Sequence, residues 1–313
     1  MLDITTIILT YNEEIHIRRC LENVCPFSKK VYVVDSPSTD KTTEICAEFE
    51  NVEVVVHKYP GNQAEQFNWA IDNLEIETEW VLRIDADEYL LPELIQELHE
   101  KIPNMPDEVT GIEFKRRHIF MDKWVKRGIY PVIMMRMFRT GYGRYDARLM
   151  DEHIALKSGK SVVLENDFCD HSLIHISEYC QKHINYAKRE ACEVLDEIYG
   201  LSSHLDSSLS HGDQAKSKHK KKSRYNTMPL FLRSFMYFVF RYIFKGGFLD
   251  GKAGFVFAFV QGWWYRTLVD ALVLECTKAC GIHKMKPQLV KEEEKVKLRE
   301  YICKEWNVEL VHS

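Results

Sequence analysis

Trp80-Val81-Leu82-Arg83-Ile84-Asp85-Ala86-Asp87-Glu88 is an apolar run that ends abruptly in three carboxylates. A run of β-branched and apolar residues bounded by charge predicts a buried strand, and open α/β sheets bind ligands at the carboxyl ends of their strands. Residues two apart on extended chain point the same way, so Asp85 and Asp87 are expected to face one hard divalent cation while Ala86 points into the fold. A strand followed by a solvated acidic turn would have the same nine residues, so the flanking sequence has to decide.

Upstream, residues 4–9 (Ile-Thr-Thr-Ile-Ile-Leu) predict a first buried strand, with a helix from Asn12 to about Asn23. Residues 31–34 predict a second strand ending in Asp35. The turn Ser36-Pro37-Ser38-Thr39-Asp40 follows, with Thr39 or Asp40 capping a helix to about Phe49. A third strand spans residues 52–57, a third helix residues 63–74, and the quoted stretch supplies the fourth strand. Strands alternating with helical stretches predict a mostly parallel, Rossmann-like sheet with helices on both faces. After a helix over 92–101 the alternation stops. Residues 111–118 and 133–139 predict strands of a mixed, antiparallel half, and residues 177–199 an amphipathic helix.

The chain of 313 residues is 45% hydrophobic with a formal charge of −5, and six of its positive charges sit in one run, residues 216–224. An acidic body with one basic run predicts attraction to an anionic surface at that point. The run has no interleaved aromatic residues for base stacking, so no nucleic-acid partner is expected. Nine cysteines without a Cys-x-x-Cys pair predict reduced thiols in a cytoplasmic protein. The N-terminus enters a strand directly, which predicts no signal peptide. The longest uncharged apolar stretch, residues 253–265, is shorter than the roughly 18 residues a spanning helix needs. The organisation expected is a catalytic α/β domain over 1–200, a polar basic linker over 201–224 and an α-helical region over 225–313.

Thr10-Tyr11-Asn12-Glu13-Glu14, the Val34–Thr42 segment around Asp35 and Asp40, and Ile84-Asp85-Ala86-Asp87-Glu88 together resemble glycosyltransferase family 2, inverting enzymes of GT-A fold. The resemblance continues through Gln66-Phe67-Asn68, Lys123-Trp124, Pro131 and Arg136 to Met150-Asp151-Glu152-His153. Residues 247–254 look like the C-terminal segment of the lipopolysaccharide-core glucosyltransferase type.

That resemblance implies a nucleotide-sugar site in which Asp35 meets the base, Thr10 and Glu13 line the nucleotide pocket, Gln66 and Asn68 approach sugar or phosphate, and Asp85 touches ribose or sugar. Asp87 and Asp85 would hold Mg²⁺ or Mn²⁺ against the diphosphate, with His175 a candidate to complete the shell. Glu152 or Asp151 would be the base that takes a proton from the acceptor hydroxyl. Here Asp151 stands where the lipopolysaccharide-core type is expected to have His, so the choice between the two carboxylates stays open. Arg136 and Arg139 are candidates for phosphate or acceptor contacts, or ordinary strand charges. The implied activity is transfer of a hexose from a UDP-sugar to a lipid-linked or lipopolysaccharide-type saccharide in cell-surface polysaccharide assembly.

The C-terminal third packs aromatic residues around arginines in two helices too short to span a bilayer. A protein peripheral to the inner face of the cytoplasmic membrane would have this pattern, and so would a helical cap with an aromatic core. A nucleotidyltransferase would also combine such a sheet with metal-binding aspartates, but it would usually present a glycine-rich basic loop after the first strand, which 10–14 lacks. A catalytically inactive membrane-associated scaffold is the alternative of a different class.

Overall fold

The computed structural model describes residues 1–145, 153–201, 225–226, 228–282 and 290–306. They fall into two compact units, one taking in Met1–Leu173 and the other beginning at Ile174. The division lies upstream of the boundary expected at residue 200. The helix Ile176–Tyr199, assigned above to the catalytic domain, buries Ala187, Ala191, Val194 and Leu195 in the core of the second unit instead.

In the first unit, β1 (Leu2–Thr10), β2 (Ser28–Asp35), β3 (Val52–Val56) and β4 (Trp80–Asp85) pair in parallel in the order β3-β2-β1-β4. The sheet continues through β8 (Val132–Arg139), β6 (Val109–Phe120), β11 (Lys160–His171) and β5 (Glu88–Leu90), and β7 (Lys123–Trp124) pairs with β6. β8 is antiparallel to both β4 and β6, whereas β11 runs parallel to β6. A separate ribbon joins β9 (Gly143–Tyr145) to β10 (Ile154–Leu156). This mixed sheet with a parallel core and flanking helices is the GT-A-like α/β architecture that the sequence predicts.

The period of two along each strand separates the two cores. Ile8, Val33 and Leu82 face α1 (Ile17–Val24), α2 (Thr42–Cys46) and α4 (Pro92–Lys101), with Leu21, Cys46 and Leu94 fully buried. Ile7, Val34 and Val81 face the other way, onto Ala64, Phe67 and Ala70 of α3 (Gln63–Asn73) and onto Tyr145, Ile154 and Leu156 of the ribbon. The sheet is thus covered on both faces and its polar functions are confined to strand ends.

Both early helices are shorter than expected. α1 starts at Ile17, because residues 11–16 form a loop in which Asn12 adopts φ +55°. Ala86 and Asp87 form a turn between β4 and β5, so they do not continue the strand. The expectation that Asp85 and Asp87 point the same way on extended chain therefore fails, although Ala86 is buried as expected. All nine cysteines are free thiols.

The second unit is helical. Ile176–Tyr199 ends where Gly200 adopts φ +60°, a left-handed cap that glycine takes without strain. It packs with Tyr265–Ala279 and Glu292–Tyr301 around Val273, Cys276, Leu298 and Ile302. Inside lies one buried ion pair, Arg233 with Asp270: Nη2 stands 2.6 Å and Nε 2.7 Å from Oδ1, while Oδ2 accepts the Phe231 N–H at 2.7 Å. Arg233 Nη1 donates to the Asn226 carbonyl at 3.0 Å, so both charges are well supplied with partners. Removing one member would strand the other in an apolar interior. Asp270→Ala should destabilise this unit by about 3–5 kcal/mol in chemical denaturation, while Asp270→Asn, which keeps an acceptor, should lose less.

Candidate active site

β1 is flanked by β2 on one side and β4 on the other, and the chain reaches them in opposite lateral directions. That is the switch point at which an open α/β sheet leaves a crevice outside its strand ends. Thr10 lies level with Asp35 and Leu9 level with Asp85, so three polar groups line the rim.

The β1 and β2 exit loops are laced together by side chains. Asp35 Oδ1 accepts from Thr10 Oγ1 at 2.7 Å and Ser38 Oγ at 2.6 Å, and its Oδ2 accepts the Ser38 N–H at 2.8 Å. Asn12 Oδ1 accepts the Thr39 N–H at 2.8 Å, and the Asn12 N–H donates to Ser38 Oγ at 2.9 Å. Glu13 N–H donates to Thr42 Oγ1 at 2.8 Å and Glu14 N–H to Asp40 Oδ2 at 3.0 Å. Asp40 also accepts the Thr42 N–H at 3.0 Å, but the N-cap of α2 is Lys41, one residue beyond the cap expected at Thr39 or Asp40. Each bond is modest alone, but together they fix two loops that have no secondary structure of their own. Buried His16 accepts the Leu173 N–H on Nε2 at 2.9 Å, so its Nδ1 carries the proton and donates to Glu13 at 2.6 Å.

β4 ends in a cluster of opposite charges. Arg83 and Asp85, two apart on the strand, share a face and form a forked pair at 2.5 and 2.8 Å. Arg136 on β8 reaches Asp85 at 3.4 Å and hydrogen-bonds Glu88 Oε1, while Glu88 Oε2 accepts the Asp85 N–H at 2.9 Å. Burial raises Asp85 above its ordinary value against the pull of Arg83, and burial, then the Asp85 charge, raises Glu88 well above the carboxylate range. The Arg136 guanidinium on one oxygen and the Asp85 amide on the other fix the orientation of the Glu88 carboxyl. The buried Glu88 and the partly exposed Asp85 thus face two buried guanidinium groups.

A second tier comes from β5, β6 and β11. Register places Asp170 opposite both Glu88 and His118, and the Asp170 carboxylate meets His118 Nδ1 at 3.1 Å and Arg116 at 3.3 Å. From α1, Arg19 donates to the carbonyls of His171 at 2.6 Å and Asp87 at 3.1 Å, and the His171 N–H also donates to the Asp87 carbonyl at 3.0 Å. The acidic turn is therefore gripped through its backbone. Burial and the adjacent Arg19 push His171 below the usual imidazole value; its Nδ1 faces the Arg19 N–H at 3.2 Å, leaving the proton on Nε2 toward Asp122 at 3.4 Å.

The structure thus brings Thr10, Glu13, Asp35, Asp85 and Asp87 to one edge of the sheet. It gives Gln66 and Asn68 scaffold partners. Gln66 Oε1 pairs with His57 Nδ1 at 2.7 Å and its Nε2 with the His57 carbonyl at 3.2 Å. The Asn68 amide exchanges two hydrogen bonds with the backbone of Tyr145 at 3.0 and 3.1 Å, fixing β9 to α3. Arg139 stacks over Trp80, pairs with Glu79 and donates to the Val109 carbonyl, at the opposite end of β4 from the rim. His175 is the exposed residue preceding Ile176–Tyr199, in the second unit. Asp151 and Glu152 lie outside the described residues.

Among the described residues no three His, Cys, Asp or Glu side chains converge as a metal cage. Mg²⁺ and Mn²⁺ need no such cage, since one or two carboxylates can share the ion with substrate phosphates and water. Asp85 and Asp87 offer the hard oxygens such an ion takes, and the Asp85 carboxylate is also forked on Arg83. Two contributors went unassigned from sequence. Arg83 is signalled by a charge inside an apolar strand two residues before Asp85. Tyr11 is a large ring left 62% exposed beside the rim.

An α/β crevice with carboxylates at the switch point is the arrangement in which open sheets take ligands at the ends of their strands. Residues 5–165, just over half of the chain, match the model of glycosyl transferase family 2, and the chain belongs to that family. An uncharacterized glycosyltransferase of Rickettsia bellii (strain RML369-C) is 38% identical over 95 residues, covering 30% of this chain and 31% of its own. The SPbeta prophage-derived glycosyltransferase SunS of Bacillus subtilis (strain 168) is 35% identical over 85 residues, covering 27% of this chain and 20% of SunS. The chain thus matches less than a third of the length of these curated relatives. Among solved structures, S. aureus TarS 1-349 in complex with UDP aligns with 96% of this chain and 91% of its own at 18% identity, with a TM-score of 0.41.

The Asp170 tier yields a pH prediction. Although burial disfavours its charge, His118 and Arg116 hold Asp170 down at about 2, below its ordinary 3.8. A depressed carboxyl stabilises the fold above its unfolded value and loses that contribution as pH falls through the folded one. Asp170→Asn should therefore be less stable than wild type by about 2 kcal/mol at neutral pH, with the gap closing between about pH 4 and pH 2 in urea titrations.

Proposed function

We propose that this protein is an inverting glycosyltransferase, dependent on Mg²⁺ or Mn²⁺, that transfers a hexose from a UDP-sugar to a saccharide carried on a lipid, as in lipopolysaccharide-type surface polysaccharide assembly. The observation that carries the reading is the alignment of Thr10, Asp35 and Asp85 across three parallel strand ends, with the Asp87 turn directly beyond. Membership of glycosyl transferase family 2 supports it.

In this mechanism the nucleoside lies on the β1–β2 side of the crevice. Asp35, only 1% exposed and bonded to Thr10 and Ser38, shapes the floor, and the exposed Tyr11 ring offers a flat face for the base. Glu13, held by His16, borders the same loop. Asp85 keeps its orientation through Arg83 and Arg136 and faces the ribose and sugar. Asp87, with Asp85, would hold the cation, which when bound neutralises charge on the departing diphosphate. His175 remains a candidate third ligand, and Gln66 and Asn68 act through the loops they tie. Glu152 or Asp151 takes the proton from the acceptor hydroxyl as its oxygen bonds to the anomeric carbon; the bond to the diphosphate breaks on the opposite face and UDP leaves with the electron pair. A peripheral position at the inner face of the cytoplasmic membrane would present lipid-carried acceptors to this site.

Calorimetry with UDP, GDP, CDP and TDP, with Mn²⁺ and then with chelator, tests the donor assignment. UDP should bind only with the cation. Asp87→Asn should abolish that cation-dependent binding and lower turnover by about 10²–10³-fold, and His175→Ala shows whether the imidazole contributes to cation affinity. Glu152→Gln, set against Asp151→Asn, should keep UDP affinity while losing at least about 10²-fold in turnover, which would assign the base. A folded protein that binds none of the four nucleotides would overturn the reading in favour of an inactive scaffold.

A further inference from the structure

The helix Leu232–Val239 and its continuation Phe240–Phe244 are inside out. Their buried positions include Arg233, Ser234 and Arg241, whereas Phe235, Met236, Phe240, Ile243 and Phe244 are exposed, Phe244 at 76%. Spacings of three and four residues gather these side chains into one stripe. A helix in contact with water presents the reverse pattern. The cations inside are matched locally, Arg233 by Asp270 and Arg241 by the Tyr237 ring and hydroxyl, so nothing in their chemistry forces the apolar residues outward.

The stripe continues onto the next segment. Ring contacts run without a break from Phe235 through Trp263, Phe259 and Phe255 to Tyr242 and Phe248, with centroids 5.5 to 6.3 Å apart. Phe248, Leu249, Phe255 and Phe259 are also exposed, which makes an apolar patch too continuous to be scattered surface hydrophobicity.

Charge identifies what covers it. Residues 228–264 contain four basic residues and one acid, Asp250, in a chain whose overall charge is −5. With Arg233 and Arg241 buried, Lys245 and Lys252 are the exposed cations of this segment, and Lys245 Nζ sits 5.6 Å from the Phe240 ring centre, its stem beside the apolar stripe and its charge at the margin. The sequence leading into the segment carries the six positive charges of 216–224. A two-fold contact between copies would crowd these like charges together with only Asp250 to offset them. Among the described residues no helix is long and apolar enough to cross a membrane. Aromatic rings on one face, with lysines at its border and a short length, are the features of a segment that lies in a bilayer interface.

We infer that the exposed aromatic face of residues 232–259 is a docking surface for an anionic lipid bilayer, into which Phe244, Phe248 and Leu249 insert while Lys245 and Lys252 meet the headgroups. This deepens the proposed function, on which the link to a lipid-carried acceptor rests; the lipid contact itself needs neither donor nor acceptor.

The full chain is sedimented with vesicles of phosphatidylcholine alone or mixed with phosphatidylglycerol, at low and high salt, while UDP and Mn²⁺ are titrated separately without vesicles. Wild type should sediment with the anionic vesicles and less so at high salt. Lys245→Ala and Lys252→Ala should each weaken partitioning by about fivefold, and the double variant Phe244→Ser/Leu249→Ser by at least about tenfold, with circular dichroism and the UDP titration unchanged. The inference is overturned if wild type stays in the supernatant with both vesicles, if the double variant sediments as wild type does, or if wild type forms a lipid-free dimer that the double variant loses. Vesicle binding without UDP binding would remove the donor reading and leave the lipid contact standing.

Discussion

Everything at the rim depends on matching two buried guanidinium groups, Arg83 and Arg136, with the carboxyl groups at the end of β4. Burial raises both Asp85 and Glu88 above their ordinary values, and Arg83 and Arg136 meet them from adjacent antiparallel strands. An unpaired buried charge costs several kcal/mol, so β4 and β8 cannot slip in register without stranding one. The pairing therefore sets strand register and site electrostatics together. It also explains why the sheet reverses direction beside β4: an antiparallel β8 delivers a guanidinium to the carboxyl end of its neighbour. Arg139, three residues further along β8, is left to brace the other end.

The two units answer different physical problems. In the first, apolar residues are sorted by the two-residue period into two closed layers, and the charged groups gather at strand ends and in the mixed half of the sheet. In the second, polar groups are drawn inward around Arg233 and Asp270 while aromatic rings line the outside. Such an inversion is stable only where the internal charges are matched and the external rings have somewhere better than water to go.

Much of this was legible in the residues. The four parallel strands, the burial of Ala86 and the gathering of Thr10, Asp35 and Asp85 follow from apolar runs that end in polar residues, and the sheet order completes what periodicity begins. The partners of Gln66 and Asn68 did not follow, because an amide that ties a loop and an amide that binds sugar look the same in sequence; the fold bonds them to His57 and Tyr145. β11 was missed because Glu165, Asn166 and Asp167 interrupt its apolar pattern at an irregularity in the ladder, where register shifts between Val163 and Asp167. The acidic turn was misread as extended chain because Ala86 gives no turn signal. The tertiary grip of Arg19 and His171 on the Asp87 carbonyl accompanies the bend and lies far away in sequence.

The outermost strand of the parallel half has a consequence for handling the protein. β3 is Val-Glu-Val-Val-Val, bonded to β2 on one side and terminal in the sheet on the other, with Val56 exposed. A short valine-rich edge is a template on which another chain's strand can add, and such addition leads to aggregates. Glu53, paired with Lys30 at 2.7 Å, is the one charge in that strand and acts as its gatekeeper. A substitution of Glu53 by an apolar residue would leave that edge uncharged and open to such addition, at a place far from the rim.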